Sequence, residues 1–279
     1  MKIGISVLPT DYSPDIVELA KEAERLNFES LWVEDHPILP VNVFTENKDG
    51  AKISKILADV ADPFISLARA SSVTKKIKLA TGPCLVAERN PLLLSKEVAS
   101  IDMFTKGRFF FGIGVESFKE EILIMGADLQ NIWANVEESI LAMKELWLKT
   151  KSQFSGKYYN FPPVFSFPSP VSKPYPPILV YGNHEESFDY ITKWGDGWVV
   201  NNIHPDELWS QKLKLDQMVV KSGRDVKMSV TIAKTSADLS LINDFKLAGA
   251  DRIIVDLFSY DSEQSIESLQ DIASKIELY

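Results

Sequence analysis

Eight short apolar runs recur along the chain, at 3–8, 31–34, 77–81, 109–114, 178–181, 198–200, 227–233 and 253–258, and a stretch with helical spacing of apolar residues follows each. A strand covered on both faces is apolar throughout. Phe109-Phe110-Phe111-Gly112-Ile113-Gly114 has that character. Repeated strand–helix units admit an open doubly wound sheet or a closed (β/α)8 barrel. Eight units with none to spare favour the barrel. The expectation is an α/β fold, a (β/α)8 TIM barrel formed by residues 1–279 as a single domain, with a long loop after the second strand and an insertion near 150–177.

Local signals set the helix boundaries. Ser13-Pro14 offers an N-cap and a first-turn proline for a helix over about 15–27. Asp62-Pro63 opens a helix to about 73, and Asn90-Pro91 opens another that Lys106-Gly107 ends. His204-Pro205 starts one that runs to about 221. Helical patterning also covers 117–126, 133–149, 185–194, 237–248 and 262–276, where Asp261 and Gln264 resemble a capping box.

Two stretches break the rhythm. Residues 37–60 hold Pro37, Pro40, Asn42, Asn47 and Gly50 around a weak helical segment at 51–58, and read as a lid or as an inert insertion. Residues 150–177 carry seven prolines, the pattern of a linker, but also Phe154, Tyr158, Tyr159, Phe161, Phe165 and Phe167. A free linker is polar, so these aromatics point to a packed excursion.

Charge and composition remove several classes. A net charge of -9 without a basic run leaves no nucleic-acid footprint. There is no apolar span of eighteen residues, and the chain enters its first strand at once, so a cytoplasmic protein with no membrane segment or signal peptide is expected. The single cysteine, Cys84, excludes an internal disulfide and a multi-cysteine metal site, and reads as a small buried residue. His36, His184 and His204 lie far apart without metal-ligand spacing. A GxSxG elbow and a P-loop are both missing.

What remains gathers at strand ends. Leu31-Trp32-Val33 runs into Glu34, Asp35 and His36, and in parallel barrels the carboxyl ends of the strands carry the chemistry. Imidazole exchanges a proton near neutral pH, so His36 is either a proton-handling group or a loop cap. Gly112 and Gly114 make an incomplete dinucleotide fingerprint, with Ser117 where the third glycine belongs. They either let a flat ring approach the backbone or serve packing alone. Gly182-Asn183-His184 precedes a helix, where backbone N–H groups accept a phosphate or simply form an ordinary turn. Gly195-Asp196-Gly197-Trp198 belongs to the opposite end of the barrel and reads as a stability motif.

Taken in order, SLWVEDHP at 30–37, LATGP at 79–83, RNPLLLSKEVASIDMFTKGR at 89–108, FFFGIGV at 109–115, PPILVYGN at 176–183 and GDGW at 195–198 resemble the luciferase-like monooxygenase superfamily. Within it they are most similar to the branch of oxidoreductases that use the deazaflavin coenzyme F420. The resemblance covers nearly the whole chain. It implies hydride transfer between F420 and a small organic substrate, with the cofactor ring in the barrel mouth. His36 then donates or accepts the accompanying proton, while Asp35 orients it or bonds the ring. Cofactor contacts are implied for Asp35, Thr81, Gly82, Pro83, Gly112, Gly114, Tyr181, Gly182, Asn183 and His184. The resemblance also implies a backbone irregularity, often a cis peptide, around Thr81-Gly82-Pro83.

Two departures stand out. Glu116 replaces a glycine and either adds a catalytic carboxylate or obstructs the ligand. The arginine common in relatives before the fourth helix is missing around 131–136. One alternative keeps the barrel and exchanges the cofactor for FMN, as in a monooxygenase that uses oxygen and a flavin or F420 reductase partner. Another is a non-enzymatic flavin-binding barrel. The oligomeric state stays open, a homodimer included.

Overall fold

The computed structural model describes residues 1–43, 55–115, 118–183, 185–235, 241–257 and 262–276. Its strands are β1 (Lys2–Val7), β2 (Ser30–Val33), β3 (Lys78–Thr81), β4 (Cys84–Leu85), β5 (Phe109–Gly114), β6 (Ser152–Ser155), β7 (Asn160–Val164), β8 (Ile178–Tyr181), β9 (Gly197–Asn201), β10 (Ser229–Thr235) and β11 (Arg252–Asp256). Eight of them follow the order β3-β2-β1-β11-β10-β9-β8-β5, and a β3–β5 pairing closes the ring. All these pairings are parallel. The architecture is the expected closed barrel surrounded by helices. The two-residue β4 continues the wall past β3, with Cys84 opposite Ile113.

Strand alternation sorts the core into two layers. Trp32, Ala80, Phe110, Leu179, Tyr181, Val199, Ala233 and Ile254 pack together inside the barrel. Their neighbours in sequence, among them Leu31, Val33, Leu79, Phe109, Phe111, Val180, Val200 and Val255, pack outward against helix residues such as Leu67, Leu94, Val98, Ile140, Ile191 and Leu269. Cys84 lies fully buried in that outer layer.

The amino ends of the strands are sealed. Arg252, at the start of β11, holds Glu29 through two bonds of 2.6 Å and lies over the ring of Phe110, 4.8 Å from its centroid. At the Gly195-Asp196-Gly197-Trp198 turn, Asp196 accepts from the Ile178 N–H at 3.0 Å, while the Trp198 indole reaches toward the other end of β8 and donates to the Gly182 carbonyl at 2.7 Å. Arg224 donates to the carbonyls of Ile191, Thr192 and Gly195. A Cβ on Gly197 would lie 2.2 Å from the Ser229 hydroxyl. The turn performs the stabilising role expected of it. Nearby, Lys144 donates to the Trp194 carbonyl at 2.8 Å.

The caps follow the sequence with one correction. Asp62 accepts from the N–H groups of Phe64 and Ile65 at the head of helix Pro63–Ser71, and Asn90 does the same for Leu92 and Leu93 in Pro91–Thr105. The first helix, Ile16–Arg25, is capped by Asp15 rather than Ser13. Ser13 and Thr10 instead exchange hydroxyl–backbone bonds of 2.9 and 3.0 Å, so the chain turns once more before the helix begins. His204 stands at the N-cap of Pro205–Ser222 without a side-chain capping bond. Asp261 lies outside the described residues.

The 150–177 excursion is packed. β6 and β7 form an antiparallel hairpin whose Phe154 and Phe161 stack with centroids 6.1 Å apart. Phe161 buries against Ala142 and Leu146 of helix Ile132–Leu148. Glu138 of that helix accepts the backbone N–H groups of Lys157, Tyr158 and Tyr159 at 2.8, 2.6 and 2.7 Å, fixing the hairpin turn. Among the described residues, no helix is long and apolar enough to cross a membrane.

Candidate active site

Three ionisable residues follow β2 in succession, and the extended chain beyond Val33 sends them to different places. Glu34 continues the inward face of Trp32 and is 5% exposed. Asp35 points to the helix side of the wall. There Arg89 holds it with Nε on Oδ2 at 2.9 Å and Nη2 on Oδ1 at 2.6 Å, and the Leu85 N–H adds a bond of 3.1 Å. Arg89 also reaches Asp62 at 2.9 Å and lies over the Phe64 ring, 5.3 Å from its centroid. Burial works against the guanidinium charge, but the bonds and field of Asp35 outweigh it and hold the Arg89 pKa above its ordinary range.

His36 finds another partner. Its Nδ1 lies 3.1 Å from Oε2 of Glu121, a residue of the short helix Lys119–Ile124 that follows β5. Glu121 is fully buried, while the imidazole keeps 11% exposure. The Phe118 ring stands beside it, centroid to centroid 6.0 Å and tilted by 44°. Among the described residues the Asp35 carboxylate bonds Arg89 and the Leu85 N–H and makes no hydrogen bond to the His36 ring, whose partner is Glu121.

The inward face of the mouth is lined by Glu34, Tyr181, Asn201 and Asp256. Burial pushes the Tyr181 phenol well above its ordinary pKa, and the charges of Glu34 and Asp256 push the same way. The Oδ1 atom of Asn201, at the end of β9, is buried without a hydrogen-bond partner, although its backbone N–H donates to Asn183 Oδ1 at 3.0 Å. An unsatisfied buried amide oxygen is costly and calls for a donor.

The glycine-bearing strand ends are tightly packed. Thr81 donates its hydroxyl to the Gly112 carbonyl at 2.7 Å, and a Cβ on Gly112 would meet the Thr81 carbonyl oxygen at 2.0 Å. A Cβ on Gly114 would lie 3.0 Å from the Pro83 ring, and one on Gly82 would lie 3.0 Å from the Tyr181 hydroxyl. The Gly82–Pro83 bond is cis, where the resemblance implies an irregular backbone. Gly182 has no room for a side chain because Ser187 lies 2.4 Å from its Cβ position. Glu116 and His184 lie outside the described residues.

Three residues here escaped sequence reading. Arg89 sits beside the obvious cap Asn90, and its acidic partners are distant in sequence. Glu121 belongs to Lys119-Glu120-Glu121, which reads as a solvated helix face. Asn201 follows an apolar strand without a motif. The inward face of the short helix shows only in the structure, where Glu121 and the neighbouring Ile122 are both buried.

With this geometry in place, comparison with known proteins is informative. The luciferase-like monooxygenase family profile matches residues 1–238. An uncharacterised protein of Mycobacterium tuberculosis (strain ATCC 25618 / H37Rv) is 28% identical over 229 residues, 81% of this chain and 80% of the relative. Among solved structures, the monooxygenase RslO1 from Streptomyces bottropensis superposes with a TM-score of 0.79 at 17% identity, covering 98% of both chains. An F420-dependent secondary alcohol dehydrogenase, in complex with an F420–acetone adduct, gives a TM-score of 0.77 at 18% identity over 97% of both. By the extent of the profile match, residues 1–238, and with the closed barrel in agreement, the chain belongs to the luciferase-like monooxygenase family.

Proposed function

We propose that the protein is an oxidoreductase that takes the deazaflavin F420 into the barrel mouth and passes a hydride between it and a small organic substrate. The observation that carries this reading is His36, fixed by Glu121 at 3.1 Å on the rim of the mouth. No side chain supplies hydride chemistry, which a bound deazaflavin would contribute. The residues fit such a ring in one respect that can be named: Asn201 Oδ1 is a buried acceptor awaiting a donor, and a flavin or deazaflavin pyrimidine edge carries an N–H.

The chain's own contribution is positioning and proton handling. Asp35 and Arg89 lock the end of β2, so that His36 leaves the strand in one direction. The imidazole donates or accepts the proton that accompanies hydride transfer to a carbonyl or from an alcohol. Trp32 and Tyr181 close the floor beneath and exclude water from below. The deazaflavin assignment draws on the resemblance carried by the six segments from SLWVEDHP to GDGW taken in order and on the likeness to the F420-dependent dehydrogenase.

A second reading, an FMN-dependent monooxygenase with a reductase partner, is favoured by the likeness to RslO1. Titrating the purified protein with F420 and with FMN, followed by absorbance, separates the two. Tight F420 binding without FMN binding supports the first, the converse supports the second, and failure of both removes the oxidoreductase reading.

A further inference from the structure

We infer that Glu121 is a positioning residue for His36: its carboxylate holds the imidazole proton on Nδ1 and leaves Nε2 as the atom that exchanges a proton with a bound ligand. The inference rests on the proton-handling role of His36 given above and adds the group that sets its tautomer.

An ionised carboxylate accepts hydrogen bonds and donates none. With Glu121 as the acceptor at 3.1 Å, the imidazole proton lies on Nδ1. The partner across an imidazole decides which of its two nitrogens is protonated. Asp35 is not available for the task, because Arg89 and the Leu85 N–H occupy both of its oxygens. The imidazole makes no other hydrogen bond among the described residues. With Nδ1 engaged and the side chain 11% exposed, Nε2 is the nitrogen left for a ligand, and the Phe118 ring at 6.0 Å narrows the space for a ring flip. The two residues are 85 positions apart, one after β2 and the other after β5. Two separate strand–helix units thus converge to set one proton.

The test reads the proton directly, in ¹⁵N-labelled protein free of cofactor, by long-range ¹H–¹⁵N correlation of the histidine rings. There are three histidines, and loss of one signal set in His36→Gln assigns the relevant ring. The expected result is a His36 ring with its proton on Nδ1, turning to Nε2 in Glu121→Ala. In protein loaded with the cofactor that the titration identifies, Glu121→Ala lowers kcat about tenfold and leaves the substrate KM within about twofold. A wild-type ring protonated on Nε2 overturns the inference, whether or not the variant folds. So does an unchanged tautomer in Glu121→Ala whose far-ultraviolet circular dichroism matches wild type. If neither cofactor binds, the oxidoreductase reading fails while the tautomer still decides the role of Glu121.

Discussion

Arg89 closes on Asp35 with two bonds of 2.6 and 2.9 Å, and the pair ties the exit of β2 to the segment that leads into helix Pro91–Thr105. Removing the cation leaves a carboxylate that is 1% exposed without its charge partner.

Arg89→Met is therefore expected to lower the unfolding free energy by about 3 kcal/mol, the usual scale for breaking a buried pair from one side. Urea denaturation measures it, and Asp35→Asn in the same chain should return at least half of the loss. A single variant within about 1 kcal/mol of wild type contradicts this account.

Gly112→Ala should cost about 3 kcal/mol or more, because its Cβ would lie 2.0 Å from the Thr81 carbonyl, a backbone atom that cannot swing aside. Gly126→Ala makes the control. Nothing lies within 4 Å of its Cβ position, so only its φ of +80° opposes the change, at about 1 kcal/mol. Melting curves of the two variants should rank them in that order.

His36→Ala should reduce turnover about a hundredfold while the cofactor dissociation constant stays within about twofold. Stopped-flow rates together with absorbance titration check both halves. Turnover equal to wild type with the true substrate excludes the imidazole from proton transfer.

Lys144 makes a pH-dependent contribution. Burial lowers its pKa to about 8 from the ordinary 10.5 of lysine; attraction to Asp196 opposes the shift, and repulsion from Arg224 adds to it. Between these values the unfolded chain binds more protons than the folded one, so this residue's contribution to stability rises as pH rises from about 8 to 10.5. Cys84 and Tyr181, with raised pKa values, act in the opposite direction at alkaline pH. The measurement is accordingly the difference in unfolding free energy between wild type and Lys144→Met. That difference should climb across the window, and a flat one contradicts the shift.

The barrel was legible because its strands are covered on both faces and their apolar runs stand out. The runs at 109–114 and 178–181 coincide with β5 and β8 to the residue. Asp62 and Asn90 were legible as caps because each precedes a proline that can only begin a helix. Ser13 misled for the same reason: Ser-Pro and Asp15 offer rival starts, and the choice depends on the hydroxyl of Thr10. Phe154 and Phe161 correctly signalled a packed excursion, while its hairpin pairing gave no alternating pattern, with Pro162 and Pro163 inside β7.

The site was half legible. Strand position alone singled out Asp35 and His36, but adjacency in sequence suggested that they act together. On a strand, neighbours point to opposite faces, and here one turns to Arg89 and the other to Glu121. Their partners lie 54 and 85 residues away, a separation that no local pattern encodes.

The Arg252–Glu29 seal and the rings of Trp32 and Phe110 above it make the barrel a blind-ended vessel. On the proposed function, a substrate that reaches His36 from the mouth meets a closed end among the described residues. Its product would compete with the next substrate for the same passage, and a product slow to depart would act as a competitive inhibitor.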